Sequence, residues 1–126
     1  MNSHPRPRVL FVDDDVMLLR AVERALVDQG YEVLSTNGPM GVREMIATFR
    51  PAIVLVDVNI PLLKGDELVT LARSAATAQG FAPRFVLYSA LDDSDLALRT
   101  KVSGADGWIS KNHPIEKLGD KLRPFL

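Results

Sequence analysis

Four short apolar runs in this chain each stop at a polar residue, and the stops belong to one chemical set. Val9–Val12 runs into Asp13-Asp14-Asp15, and Ile53-Val54-Leu55-Val56 runs into Asp57. Phe85-Val86-Leu87-Tyr88 runs into Ser89, and Trp108-Ile109-Ser110 runs into Lys111. Runs of this length are strand-sized, and the stretches between them carry helical periodicity. In a parallel sheet with helical crossovers, all carboxyl ends of the strands lie on one edge, where ligands bind. The pattern therefore predicts a pocket holding several carboxylates, a hydroxyl and an ammonium.

The full alternation reads as strands over 8–12, 31–35, 52–56, 84–88 and 107–110. Helices fall over 16–29, 40–49, 66–74, 95–103 and 115–122. Asp15 suits the N-cap of the first helix, with Leu19, Val22 and Leu26 on one face. Gly30 closes that helix, and Arg50-Pro51 ends the second. The third strand is apolar throughout, as a central strand covered on both faces would be. A loop is expected over 60–64, a frayed helix end and loop over 75–83, and a stop to the last helix at Pro124. Five strands alternating with five helices imply an α/β fold, a parallel sheet with helices on both faces.

At 126 residues the chain is sized for one domain. Residues 1–7 read as a flexible N-terminal tail and residues 8–126 as the domain. A net charge of -1 gives no general attraction to nucleic acid or to an anionic membrane. The absence of cysteine removes disulfides and thiolate metal sites and suits a cytoplasmic protein. The start of the chain lacks a signal-peptide apolar run, and no apolar run is long enough to span a membrane.

If the first and third strands are neighbours, Asp13, Asp14 and Asp57 meet. Two like charges ~4 Å apart repel by roughly 4 kcal/mol at an effective dielectric of 20. Such a cluster takes up protons or binds a cation, and hard oxygen ligands favour Mg²⁺. Asp15 is set apart from them as a helix cap. A carboxylate also attacks phosphorus, giving an aspartyl-phosphate, and it needs no general base to do so. The incoming phosphoryl oxygens need neutralising charge, for which Mg²⁺, Lys111 and Ser89 are at hand. Asp57 is the best nucleophile candidate because it ends the most apolar strand.

These residues resemble the receiver domains of two-component response regulators, and most of all the single-domain chemotaxis-type members. The resemblance runs from Val9 to about Leu122. It is carried by Val12-Asp13-Asp14-Asp15, by Val56-Asp57-Val58-Asn59-Ile60-Pro61 with Gly65, by Tyr88-Ser89-Ala90, by Gly104-Ala105-Asp106-Gly107 and by Ser110-Lys111. It implies a flavodoxin-like doubly wound fold with strand order 2-1-3-4-5. It implies that Asp57 is the phosphoacceptor, with Lys111 and Ser89 at the phosphoryl group. Asp14 and Asp57 would ligate Mg²⁺ by their side chains, Asn59 by its backbone carbonyl, and Asp13 mainly through water. Ser89 and Trp108 would be the switch residues, coupling phosphorylation to the surface of the fourth helix, fifth strand and fifth helix.

The implied partners are a sensor histidine kinase or a histidine phosphotransfer protein upstream, and a downstream protein that the sequence does not name. Neither direct nucleic-acid contact nor membrane contact by this domain is expected, and the chain would be a monomer or a weak phosphorylation-dependent dimer. The implied activity is phosphorylation and dephosphorylation of its own Asp57, not turnover of a substrate. Three features depart from the family pattern. Asn112 stands where proline usually follows the lysine, so the Lys111–Asn112 bond should be trans. Trp108 is larger than the usual switch aromatic, and the last helix is short and interrupted by Gly119 and Pro124.

Other readings remain open at this point. A haloacid-dehalogenase-type phosphatase uses similar residues, but it wants an acid two residues after its nucleophile, and Asn59 cannot donate a proton as an acid. A binding module that never meets phosphate would not need the full acidic, hydroxyl and lysine set. A flavin-binding domain would not place three aspartates where the phosphate sits. Within the receiver reading, the chain is either a stand-alone protein or the N-terminal part of a longer regulator with a DNA-binding or enzymatic output. The terminal Pro124-Phe125-Leu126 does not resemble a hydrophilic linker, which favours the former.

Overall fold

A computed structural model describes residues 5–58 and 65–126. Asn59 and the loop expected over 60–64 lie outside the described residues. The strands are β1 (Arg8–Val12), β2 (Glu32–Thr36), β3 (Ile53–Asp57), β4 (Arg84–Ser89) and β5 (Gly107–Ser110). The helices are α1 (Val16–Asp28), α2 (Val42–Phe49), α3 (Gly65–Ala78), α4 (Asp93–Ser103) and α5 (Leu118–Leu122). The five strands form one parallel sheet in the order β2-β1-β3-β4-β5.

Strand alternation sorts the core into two layers. Leu10 and Val12 of β1, with Val54 and Val56 of β3, face Val42, Ile46, Leu68, Ala72 and Leu96 of α2, α3 and α4. Val9, Phe11, Ile53 and Leu55 face Leu19, Val22 and Leu26 of α1 and Leu118 and Leu122 of α5. Each residue of β3 is buried, which is why its sequence shows no polar alternation.

Several element boundaries differ from the sequence expectation by one or two residues, α4 among them, which starts at Asp93 rather than at Asp95; the differences in α3, α2 and the last helix have a physical cause. Helix α3 continues to Ala78, through the stretch read as a frayed end and loop. Alanine is the best helix former, and the wholly buried Ala76 adds a core contact. The last helix divides into a 3-10 turn at Ile115–Lys117, the short α5, and a second 3-10 turn at Arg123–Phe125 that contains Pro124. The α-helix ends at Leu122 as expected, and Pro124 is accommodated in the 3-10 turn that follows, where proline near the start removes no internal hydrogen bond. Helix α2 starts at Val42 rather than at Met40 and ends at Arg50, a left-handed residue with φ 51. A side chain there costs about 1–2 kcal/mol that glycine would avoid. No cis peptide bond occurs among the described residues, so Lys111–Asn112 is trans as expected.

Candidate metal and phosphoryl site

The site is made by strand ends brought level by register. Val12 of β1 pairs with Val56 of β3, so the residues that follow, Asp13 and Asp57, stand side by side. Asp57 pairs with Tyr88, which sets Ser89 one step beyond on β4, and Ser89 pairs with Ser110 on β5. Lys111 follows directly, and its backbone N–H donates to the Ser89 carbonyl at 2.7 Å.

Asp13, Asp14 and Asp57 each offer a carboxylate oxygen, and these oxygens lie within 4.8 Å of one another. Asp13 is wholly buried, Asp57 is buried and Asp14 is exposed. The Lys111 ammonium donates to Asp13 Oδ2 at 2.7 Å and stands 3.7 Å from Asp57 Oδ1. The other Asp13 oxygen accepts the Asp15 backbone N–H at 3.0 Å. Asp15 in turn caps α1, its Oδ1 accepting from the N–H groups of Met17 and Leu18 at 3.1 Å each. One run of three aspartates thus divides its work: the first is buried under Lys111, the second is open to solvent, and the third holds the helix.

Three like charges gathered around one ammonium leave a surplus of negative charge at a hard oxygen site. That chemistry fits a small divalent cation with oxygen ligands, and Mg²⁺ is the ion such sites hold with few direct carboxylates. Within this group Asp14 offers an exposed carboxylate oxygen and Asp13 and Asp57 offer buried ones. Receiver domains bind Mg²⁺ through an acidic cluster of this kind.

Ser89 is buried, and its Oγ accepts the Leu91 N–H at 3.2 Å, which ties the β4–α4 loop to the site edge. Trp108 lies apart from the cluster. It is 38% exposed on β5, and its indole N–H donates to Asp93 Oδ1 at 3.4 Å. Four of the residues singled out in the sequence, Asp13, Asp14, Asp57 and Lys111, therefore meet. Ser89 stands at the same edge, Trp108 stands outside it, and Asn59 is not among the described residues.

Sequence reasoning quoted Tyr88 without giving it a role. Its ring lies under the Lys111 ammonium, 5.5 Å from the centroid, and edge-on to Phe11 at 5.8 Å. Burial, and then the negative charge of Asp13, push its phenol up to about 12. The signal was the strand period: Tyr88 shares the α1 face of the sheet with Phe11. Asp106 was likewise quoted only as part of a motif. Its carboxylate accepts the Phe85 N–H at 2.8 Å and pairs with Arg73 and Arg84, fixing the entry to β4.

A family model described as "Response regulator receiver domain" matches residues 9–123. The transcriptional regulatory protein PrrA of Mycobacterium leprae is 33% identical over 123 residues, which is 95% of this chain and 50% of that protein. The transcriptional regulatory protein KdpE of Mycobacterium tuberculosis is 29% identical over 115 residues, 91% of this chain and 49% of that protein. The chain thus spans about half the length of these curated relatives. Among solved structures, the chemotaxis protein CheY4 of Vibrio cholerae superposes with a TM-score of 0.85 at 26% identity, covering 97% of this chain and 100% of that chain. The receiver domain of the Francisella response regulator 1452 shares the fold, with a TM-score of 0.78 at 21% identity over 94% of this chain and 95% of that one.

Proposed function

Because the chain belongs to the receiver-domain family of two-component response regulators, we propose that it is switched by transfer of a phosphoryl group from a phosphohistidine to Asp57. The observation that carries this reading is the grouping of Asp13, Asp14 and Asp57 within 4.8 Å under a lysine that touches two of them. An Asp57 oxygen bonds to phosphorus as the bond from phosphorus to the donor imidazole breaks. The Lys111 ammonium faces the oxygens of the transferring group, and the Ser89 hydroxyl donates to one of them. Bound Mg²⁺ supplies the remaining positive charge that the phosphoryl oxygens require. Asp14 and Asp57 would hold it directly and Asp13 mainly through water; the family resemblance adds the backbone carbonyl of Asn59.

In the same reading Ser89 and Trp108 carry the switch. When Ser89 turns toward a phosphoryl oxygen it releases the Leu91 N–H, and the loop leading to Asp92 and Asp93 is free to shift. Asp93 is the partner of the Trp108 indole, so the shift reaches β5 and the α4 surface.

The upstream partner is a sensor histidine kinase or a histidine phosphotransfer protein. The half-length matches to PrrA and KdpE support the reading in which an output module adjoins this domain. The end-to-end match to CheY4 supports action by docking on a separate protein. Reading the gene beyond codon 126 distinguishes the two.

The test is incubation with acetyl phosphate and Mg²⁺, followed by intact mass. A single phosphoryl adduct is expected, lost on Asp57→Asn and on addition of EDTA. Beryllofluoride should change Trp108 fluorescence in the parent chain only. An adduct that persists in Asp57→Asn at full extent would falsify the assignment.

A further inference from the structure

The opposite edge of the sheet, where the strands begin, carries the reverse charge. Arg8 opens β1 and Arg84 opens β4, while Arg6 precedes β1 and Arg50 ends α2. These four exposed arginines line one cleft of about 770 Å³, with the half-buried rings of Phe81 and Phe125 in its walls. No Asp or Glu side chain lines it, among the described residues. Glu32 pairs with Arg8 at 3.3 Å and Asp106 approaches Arg84 at 3.7 Å, so two of the four charges are partly met. Arg6 and Arg50 pair with no carboxylate among the described residues. In a chain of net charge -1, this concentrates a positive excess some five or six residues of strand away from the acidic edge.

Three of the four guanidinium groups also donate to backbone carbonyls. Arg8 donates to the Phe49 carbonyl at 2.9 Å, Arg50 to the Gln79 carbonyl at 3.4 Å and Arg6 to the Val27 carbonyl at 3.5 Å. A guanidinium has five N–H donors, so each of these anchors leaves others for a ligand. Arg50 further lies over the Phe81 ring at 4.5 Å from its centroid. A guanidinium stacked in this way presents its outer face as a flat platform, of the kind on which nucleobases stack.

We infer that this cleft is a second ligand site, which takes a nucleoside di- or triphosphate. The base stacks on the Arg50–Phe81 pair, and the phosphates meet Arg8 and Arg84, with Arg6 at the rim. A ligand carrying several anionic groups would engage more of the four guanidinium groups than a single carboxylate could.

The site is tested by calorimetric titration of the chain with ATP in EDTA, which keeps the acidic edge free of metal. One ATP per chain is expected, with tripolyphosphate weaker and adenosine weaker still. Arg84→Ala should weaken ATP at least tenfold. Arg50→Lys keeps the charge and loses the platform, so it should reduce ATP affinity to that of tripolyphosphate. Both variants should still be phosphorylated by acetyl phosphate and Mg²⁺ like the parent, which shows an intact fold. The inference is overturned if millimolar ATP gives no binding, if both variants bind ATP as the parent does, or if tripolyphosphate binds as tightly as ATP. A duplex oligonucleotide that outcompetes ATP at equal phosphate concentration also overturns it.

Discussion

At the scale of single residues, the acidic site is governed by which charges are buried together. Asp13 has no exposure, and its Lys111 partner is close enough for a charge-assisted hydrogen bond. Such a bond contributes about 1.5–3 kcal/mol, and its loss leaves a buried carboxylate beside two others. Lys111→Met should therefore lower metal-free stability by about 2 kcal/mol or more in urea titration, and Mg²⁺ should restore part of the loss. Tyr88 gives the site a high-pH limit. Its folded value of about 12 stands above the ordinary 10.0. The buried neutral phenol therefore stabilises the fold fully below pH 10, and this contribution is lost as pH rises toward 12. Two pH units at about 1.4 kcal/mol each make about 3 kcal/mol. Tyr88→Phe keeps the ring against Phe11 and has no proton to lose. Its stability curve should match the parent below pH 10 in slope and fall less steeply between pH 10 and 12.

At the scale of elements, α5 is too short to hold itself. Five residues between two 3-10 turns make few internal hydrogen bonds, and helices of this length do not form alone. The end of α1 supplies what is missing. Gln29 accepts the Gly119 N–H at 2.6 Å and donates to the Ile115 carbonyl at 3.1 Å, while the Tyr31 hydroxyl donates to the Gly119 carbonyl at 2.7 Å. The contact is so close that a Cβ at position 119 would meet the Gln29 side chain, with its Cβ at 3.0 Å. Alanine in place of glycine would ordinarily gain about 1 kcal/mol in a helix. Here it displaces Gln29 and both its hydrogen bonds, at about 1–3 kcal/mol for the overpacking alone. Gly119→Ala should thus lower stability in chemical denaturation despite its better helix propensity. Gln29→Ala with Gly119→Ala should lose less than the two single losses combined.

For the whole molecule, only the folded chain gathers three carboxylates from two separated strands. A cation that binds the gathered set stabilises the fold by mass action, by about 2.7 kcal/mol at a hundred times its dissociation constant. Mg²⁺ should raise the melting temperature in a concentration-dependent way. Asp14→Asn and Asp57→Asn should each flatten that dependence, read by differential scanning calorimetry. No helix of the described residues is long and apolar enough to cross a membrane.

The linear pattern by itself determined the fold class and the placement of the candidate site residues at one sheet edge. Apolar runs of four or five residues with polar stops, alternating with helical stretches, read as strands of a covered parallel sheet, and parallel strands put all their stops on one edge. Asp13, Asp57, Ser89 and Lys111 were legible for that reason. The extent of α3 was misread because its alanines are small and its neighbours polar, so its face showed no strong stripe until Ala76 met the core. Tertiary structure alone decided the rest. That β1 lies against β3 rests on the path of two helical crossovers, and only this adjacency sets Asp13 beside Asp57. That Lys111 reaches Asp13 joins positions 98 residues apart. The Gln29 clamp and the arginine cleft likewise unite segments with no local signal in common. Local propensity and period are properties of neighbours along the chain, whereas pairwise distance between remote side chains follows from register and packing of the whole.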